Sequence, residues 1–202
     1  MGLHQDEPGR TGPASWALPV AIVVLCAGLA AAGDAVRDAL AWDRQAIAAG
    51  EAWRLVSAHF VHLGWSHYLL DSTGLVLVWF LVGAYLGPLR WLLVLGVVIA
   101  GIDAGFWMLE PQLAWYVGLS GVVHGLLAAG LVAGLTRDRP ELWILAVLLS
   151  AKLAWEQFVG PLPGSEASTG GTVITAAHLY GALAGLAAGG WFRIRVRTPA
   201  SI

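Results

Sequence analysis

The sequence predicts an all-α, polytopic membrane protein, and three observations carry that prediction. Of the 202 residues, 58% are hydrophobic and only 12% are charged, with a mean hydropathy of +0.72, whereas soluble domains carry about a quarter charged residues. Apolar runs recur along the chain, each about long enough to cross ~30 Å of hydrocarbon. Eleven tryptophans suit a protein with much surface at the level of the lipid headgroups. We therefore expect a six-transmembrane-helix bundle.

Composition also excludes several classes of partner. The net charge of -2 argues against a nucleic-acid partner, because such proteins present strongly basic surfaces. The single cysteine, Cys26, lies within an apolar run, so neither a disulfide framework nor a cysteine-based metal site is expected. No cofactor and no metal are predicted. The lipid bilayer is the one partner that composition alone implies.

The chain divides into three predicted parts. Residues 1–15 are expected to form a flexible cytoplasmic arm, residues 16–192 the six-helix membrane domain, and residues 193–202 a basic cytoplasmic tail. The polar segment 33–66 is too long for a simple turn and contains short amphipathic stretches, so it is expected to lie partly in the interface. The six apolar runs predict membrane spans at about 16–32, 67–86, 91–109, 120–136, 142–159 and 173–192.

The distribution of arginine predicts the orientation of the bundle. With the amino terminus inside, the outer segments hold Arg37, Arg44 and Arg54, all in the first loop and mixed with acidic residues. This bias places both termini in the cytoplasm, because positive residues concentrate on the inner side. The inner segments then hold Arg10, Arg90, Arg137, Arg139, Arg193, Arg195 and Arg197.

This topology brings three polar residues to one depth. Spans two, four and six all enter the membrane from the outer face, and their first turns hold His67, Ser120 and His178. Ionisable residues within spans are candidates for functional sites, because an unpaired one is costly in hydrocarbon. The three side chains are therefore expected to converge near the outer leaflet.

Glycines predict that span four packs closely on span six. Gly121 and Gly125 form a smooth face after Ser120, and Gly181, Gly185 and Gly189 form one after His178. Small residues four apart let helix backbones approach each other. A serine and a histidine within hydrogen-bond reach supply a nucleophile and a general base for acyl transfer. No carboxylate is obviously placed to orient the histidine, so a dyad is predicted. The alternative is two separate polar residues that satisfy each other or the backbone.

Several other polar residues have open roles. His67 could donate a hydrogen bond to an oxyanion, and Asp71 shares its helix face at i, i+4. His124, one turn below Ser120, is a second candidate for the base.

Lys152 and Glu156 are also spaced i, i+4. The lysine could serve a Ser–Lys mechanism, although an ion pair with Glu156 or Asp103 that locks helices together is favoured. His59 and His62, before span two, are expected to pin the loop backbone by hydrogen bonds.

These motifs together resemble those of the rhomboid intramembrane serine proteases. The resemblance rests on three patterns in order on spans two, four and six: His67 with Asp71 four residues later, Gly118-Leu119-Ser120-Gly121, and His178-x-x-Gly181-x-x-x-Gly185. Within that superfamily the chain is most similar to rhombosortase, because it is small, carries His124 four residues after Ser120, and contains the segment from Lys152 to Glu156.

The resemblance implies Ser120 as nucleophile, His178 as general base, and an oxyanion hole formed by His67 and the Ser120 backbone N–H. Asp71 belongs to the oxyanion position by the same resemblance, but rhomboids usually have asparagine there. An ionised carboxylate cannot donate a hydrogen bond, so Asp71 is protonated, turned away, or paired with His67.

A rhombosortase implies a particular substrate and location. The implied substrates are membrane-anchored exported proteins that end in a Gly-Gly motif, an apolar helix and a basic tail. The implied location is the bacterial inner membrane, with the active site toward the periplasmic face. Three alternatives stay open: a general rhomboid protease, a non-catalytic rhomboid-like protein that binds membrane clients, and a metal transporter that uses the histidines. The transporter lacks the carboxylate ligands on facing helices that such metals would use.

Overall fold

The computed structural model describes residues 16–136 and 138–197. The predicted arm, Arg137 and the end of the predicted tail lie outside these described residues. Within them the fold is helical, with one short strand pair. The elements in chain order are α1 (Ala17–Ala31), α2 (Asp34–Leu40), β1 (Trp42–Asp43), α3 (Arg44–Ala48), α4 (Arg54–Ser57), α5 (Trp65–Val82), α6 (Pro88–Leu109), β2 (Trp115–Tyr116), α7 (Ser120–Gly134), α8 (Pro140–Phe158), α9 (Ser165–Thr169) and α10 (Thr175–Arg197).

Six helices in the described part of the chain have 15 residues or more: α1, α5, α6, α7, α8 and α10. They occupy the six predicted runs, with ends shifted by a few residues. Prolines in the first turn of α6 and α8 suit helix starts, because the N–H that proline lacks would be unpaired there. α10 continues through Arg197, so the first part of the predicted tail is helical.

Length and hydropathy divide these helices into groups. Two of them, Trp65–Tyr85 and Pro88–Leu109, are long and apolar enough to cross a membrane by length and composition. Ala17–Ala31 and Ser120–Gly134 are apolar but shorter. Ten of the residues of α7 are buried inside the bundle. Such a helix contacts other helices rather than lipid along most of its length.

The polar segment 33–66 folds into α2, β1, α3 and α4 rather than one surface helix. β1 pairs antiparallel with β2, with Trp42 opposite Tyr116 and Asp43 opposite Trp115. Within the described residues, this strand pair differs from the predicted all-α fold. It connects the first loop to the segment that leads directly into α7, and so it helps to position the start of that helix.

Arg44 fixes the same loop against the end of α6. Its guanidinium donates to the carbonyl oxygens of Phe106 at 2.6 Å, Glu110 at 2.7 Å and Leu113 at 2.9 Å. It also lies over the Trp107 ring, 4.9 Å from the ring centroid. The last carbonyls of a helix have no partner within the helix, so this side chain caps α6 and holds the chain that precedes β2.

The centre of the bundle is the contact between α7 and α10. Predicted glycine faces are present on both helices, and they face each other. A Cβ atom added to any glycine of the α10 face would overlap backbone of α7, so only glycine permits this approach. The facing pairs are Gly181 with Gly121, Gly185 with Gly125, and Gly189 with Ala129. By contrast, the buried residues of α8 are Leu142 and Glu156.

Candidate active site

Ser120 is the first residue of α7, and the backbone before it is tightly constrained. Gly118 has φ +131°, a conformation that side chains disfavour. A Cβ atom there would lie 3.0 Å from Cε1 of His67. The Tyr116 hydroxyl donates to the Gly118 carbonyl at 2.7 Å. The turn therefore requires glycine, and it brings the start of α7 against His67.

His178 lies within hydrogen-bond distance of Ser120. Its Nε2 is 2.9 Å from the serine Oγ, and the residue is only 4% exposed. His178 stands in the first turns of α10, so the close contact of α7 with α10 carries it to the serine. This is the approach that the glycine faces predicted.

A carboxylate also contacts His178, and the sequence analysis missed it. Oε2 of Glu156 lies 2.9 Å from Nδ1 of His178 on the side opposite Ser120. The expectation that no carboxylate orients the histidine was wrong. One signal was available: Glu156 stands near the end of α8, and the end of an antiparallel helix lies at the same depth as the starts of α7 and α10.

Lys152 pairs with the other oxygen of the same carboxylate. Its Nζ lies 2.6 Å from Oε1 of Glu156, as the i, i+4 spacing allows. The expected ion pair with Glu156 is thus present, but both partners belong to α8. The link between helices is made by Glu156 to His178 instead. Lys152 is directed to the glutamate, which gives no support to a Ser–Lys mechanism.

His124 stacks on His178 and contacts the Ser120 backbone. The two imidazoles are stacked, with centroids 4.3 Å apart and planes 18° from parallel. Nδ1 of His124 lies 2.7 Å from the carbonyl oxygen of Ser120. Because a carbonyl only accepts, this nitrogen carries a proton and donates. Its bond is to the serine backbone and not to Oγ, which favours His178 as the base.

His124, Glu156 and His178 are also close enough to raise the question of a metal ion, since their ligand atoms lie within 4.8 Å of one another. The arrangement fits a hydrogen-bond network better. Both nitrogens of His178 and both oxygens of Glu156 already face partners. The lone pairs of two stacked imidazoles lie in nearly parallel planes, so one ion cannot lie in the plane of both rings as it does with ligating histidines.

His67 lies on the other side of the serine turn with a defined tautomer. The Leu63 backbone N–H donates to its Nδ1 at 3.3 Å, so the proton of the neutral ring is on Nε2. That Nε2 lies 3.3 Å from Oδ2 of Asp71. His67 therefore presents a donor beside Gly118, at the wall of the cavity that contains Ser120.

Asp71 is an acceptor, which corrects its assignment to the oxyanion position. Its Oδ2 accepts from the Leu119 backbone N–H at 2.9 Å, and it lies 3.2 Å from Nε2 of His62 and 3.3 Å from Nε2 of His67. Of the three possibilities that the sequence left open, the geometry is that of pairing with His67. A carboxylate already surrounded by donors cannot donate to an oxyanion, and its contact is to the backbone just before Ser120.

The two histidines before α5 also differ from expectation. Both were expected to hydrogen-bond to the loop backbone. Instead, Nε2 of His59 lies 3.5 Å from Oδ1 of Asp103, and His62 faces Asp71. Both histidines are buried, and each lies beside a carboxylate at a distance or angle that does not make a hydrogen bond. Asp103 consequently faces His59 rather than Lys152.

One cavity of about 200 Å³ contains the whole constellation. His67, Ser120 and His178 all line it, so the convergence predicted from topology is present. Its remaining wall comes from α9 and the chain around it. The lining residues are His67, Asp71, Tyr116, Val117, Ser120, His124, Lys152, Glu156, Leu162, Ser165, Thr169, Thr172, Val173, Ile174 and His178.

The helical bundle holds a serine and a histidine within hydrogen-bond distance at a helix start, an arrangement that can supply a nucleophile and its base. Comparison with known protein families identifies the family. Residues 49–195 match the family model described as the Rhomboid domain, so the chain belongs to the Rhomboid family and is an integral membrane protein. The resemblance noted in the sequence is thereby confirmed at the level of the superfamily.

Curated relatives agree with the assignment to the Rhomboid family. The rhomboid protease GlpG of Salmonella typhi is 28% identical over 182 residues, which cover 88% of this chain and 62% of the relative. GlpG proteins of Salmonella choleraesuis (strain SC-B67) and Salmonella newport (strain SL254) are 27% and 28% identical over the same shares. The chain thus spans 62% of the length of the curated relatives that it matches.

Proposed function

We propose that this protein is an intramembrane serine endopeptidase in which Ser120 is the nucleophile and His178 the general base. The observation that carries the proposal is the 2.9 Å contact between Ser120 Oγ and His178 Nε2 inside a cavity of a Rhomboid-family chain. His178 removes the hydroxyl proton as Oγ attacks the scissile carbonyl carbon, and it returns the proton to the leaving amine. Water then hydrolyses the acyl-enzyme by the same route.

The negative charge that forms on the carbonyl oxygen needs donors at a fixed position. In our proposal these are the Ser120 backbone N–H and the Nε2–H of His67, which faces Asp71 in this structure and turns to the oxyanion as that charge forms. The first N–H groups of a helix have no partner within the helix, and Ser120 is the first residue of α7. Asp71 takes part indirectly, because it holds the Leu119 N–H and contacts His67.

The proposed arrangement in the membrane is a bacterial inner-membrane protein with six spans, both termini in the cytoplasm and the site toward the periplasm. Two observations support it. The long helices α1, α5, α6, α7, α8 and α10 occupy the six apolar runs. Arg193 contacts the end of α7, opposite Ser120 at its start, which agrees with a positive inner side. Cysteines introduced in the α6–α7 and α7–α8 connections, tested for labelling by an impermeant maleimide, distinguish the two sides.

A serine-directed fluorophosphonate probe tests the nucleophile. We expect the wild-type protein to be labelled in membranes and Ser120→Ala to be unlabelled. We expect His178→Ala to lose several orders of magnitude in labelling rate, because the serine then lacks its base. Ser150→Ala on exposed α8 surface is the matched control and should label normally. Labelling of Ser120→Ala at the wild-type rate would overturn the proposal.

For the substrate we propose the rhombosortase type: a membrane-anchored exported protein with a Gly-Gly segment, one apolar helix and a basic tail. The support is the sequence resemblance around Ser120, His124 and the segment 152–156. Glycine disfavours helix, so it exposes substrate backbone to attack at membrane depth. A general rhomboid protease is the second candidate, and the 28% identity to rhomboid protease GlpG favours it equally.

Paired reporters separate the two candidates. One carries Gly-Gly at the outer end of its helix and the other carries Leu-Leu there, both with the same basic tail. A rhombosortase should release the glycine reporter and leave the leucine reporter bound, because leucine keeps that segment helical. Release is measured with the new carboxyl terminus identified by mass spectrometry. Equal release of both reporters would leave the general rhomboid protease.

A further inference from the structure

We propose that Glu156 is a positioning residue for His178, and that Lys152 balances its charge, so that the site works as a Ser–His–Glu triad with a lysine counter-ion. This inference rests on the proposed function, since it assigns an additional role within the same site. It adds a carboxylate from α8 to a pair contributed by α7 and α10.

The contacts of Glu156 are those of a side chain that fixes the direction of its neighbour. The residue is 4% exposed, and each carboxylate oxygen faces one partner: Oε2 faces Nδ1 of His178 at 2.9 Å and Oε1 faces Nζ of Lys152 at 2.6 Å. Charge-assisted bonds of this length are among the stronger ones in proteins. The bond from Nδ1 to Glu156 fixes the orientation of the imidazole ring, and it is made on the side of the ring opposite Ser120.

The bond to Glu156 sets the tautomer that the reaction needs. An ionised carboxylate only accepts, so Nδ1 of His178 carries the proton and Nε2 keeps its lone pair toward Ser120. When Oγ attacks, its proton moves to Nε2, and the electron pair of the carbonyl moves to its oxygen. The resulting imidazolium has one proton on each nitrogen, and the carboxylate stabilises it without taking the Nδ1 proton. The Nε2 proton then leaves with the amine as the C–N bond breaks.

Lys152 offsets the charge of the glutamate. Its ammonium faces the carboxylate oxygen that does not face His178, so the pair carries one positive and one negative charge. A carboxylate without such a counter-ion favours an imidazolium over a neutral imidazole, and only a neutral imidazole accepts a proton from serine. The groups that face His178 are Ser120 and His124 from α7 and Glu156 from α8, with Lys152 behind the glutamate. His67 and Asp71 of α5 line the same cavity.

Two substitutions should move the pH–rate profile in opposite directions. In Glu156→Gln the amide retains the side-chain volume but loses the charge, so the acid limb of kcat/KM should move to lower pH. In Lys152→Met the glutamate is uncompensated, so the acid limb should move to higher pH. A glutamate that only joins α8 to α10 would produce no such pair of opposite shifts.

The experiment uses the full-length protein in liposomes with a cleavable reporter. We expect Glu156→Gln to lower kcat by about a hundredfold or more with KM nearly unchanged, because the carboxylate acts on the transition state through His178 and both of its oxygens face protein groups. Glu156→Asp should restore part of the rate. Glu141→Gln, an exposed carboxylate on the same helix, is the matched control and should behave as wild type. Thermal unfolding of each variant reports whether it is folded.

The outcomes separate this inference from the proposed function. Wild-type kcat in a folded Glu156→Gln protein, with Ser120 still labelled by fluorophosphonate, would overturn the role of Glu156 and leave the serine protease intact. Acid limbs that shift in the same direction for Glu156→Gln and Lys152→Met would overturn the charge balance. If Glu156→Gln fails to fold, Lys152→Met and Glu156→Asp still test the inference through their pH profiles. No labelling of Ser120 in wild type would instead contradict the proposed function.

Discussion

Replacing Gly185 by alanine tests whether the contact between α7 and α10 positions the site. Gly185 lies on the face of α10 that carries His178, roughly two turns further along the helix. A Cβ atom added there would lie 2.9 Å from Cα of Gly125 and closer still to its carbonyl oxygen. Backbone cannot rotate away as a flexible side chain can, so α10 must move from α7 by about 1 Å to restore ordinary contact.

The effect on activity should exceed the effect on stability. A displacement of about 1 Å between catalytic groups costs roughly a hundredfold in rate, whereas overpacking of this kind destabilises by about 1–3 kcal/mol. We therefore expect a folded Gly185→Ala protein that labels about a hundredfold more slowly with fluorophosphonate. The assay compares labelling rates in detergent with thermal unfolding of the same samples.

Gly190→Ala is the matched control for this experiment. Gly190 belongs to the same helix, and an added Cβ atom meets nothing within 4 Å. Alanine should there stabilise the helix by about 0.5–1 kcal/mol, since glycine is the poorer helix former. Normal labelling by Gly185→Ala would refute the reasoning, because the close backbone contact would then not determine the distance from Ser120 to His178.

Two further substitutions test the supports around the site. Arg44→Lys should lower the free energy of unfolding by about 1.5–3 kcal/mol, because an ammonium cannot span the carbonyls that the guanidinium caps. Thermal unfolding measures this change, with the exposed Arg90→Lys as the control. An unchanged unfolding midpoint in Arg44→Lys would contradict the capping role. Asp71→Leu should destabilise by about 1–3 kcal/mol and reduce labelling of Ser120, because the Leu119 N–H loses its acceptor. The exposed Asp34→Leu controls for loss of charge, and equal behaviour of both aspartate variants would mean that the contact to Leu119 is dispensable.

The helices were predictable because the hydrocarbon of a membrane offers no water to hydrogen-bond with the backbone. Each apolar run must satisfy its own N–H and C=O groups, and a helix does so within one segment. The glycines of α7 and α10 were equally readable, since small residues four apart on two helices indicate close contact. Together these two patterns predicted the approach of His178 to Ser120.

The residues that sequence reasoning missed depend on helix rotation and on contacts between distant segments. Which face of α8 turns inward cannot be derived from its composition, because apolar residues surround Glu156 on most sides and the helix buries little else. Asp71 is another case: only the course of the chain before α7 shows that a backbone N–H meets its carboxylate. The strands are too short for any alternating pattern, and tertiary contacts rather than local propensity define them.

Pairing of β1 with β2 and the bonds of Arg44 also bear on the order in which the chain folds. Arg44 and Leu113 are 69 positions apart, and α5 and α6 lie between them. Closing so long a segment costs conformational entropy before its contacts are gained, and long-range pairings form slowly for that reason. Once α5 and α6 are both packed against α7, the two ends lie near each other and the cost falls. The serine turn that follows β2 should accordingly become ordered late, after the surrounding helices have assembled.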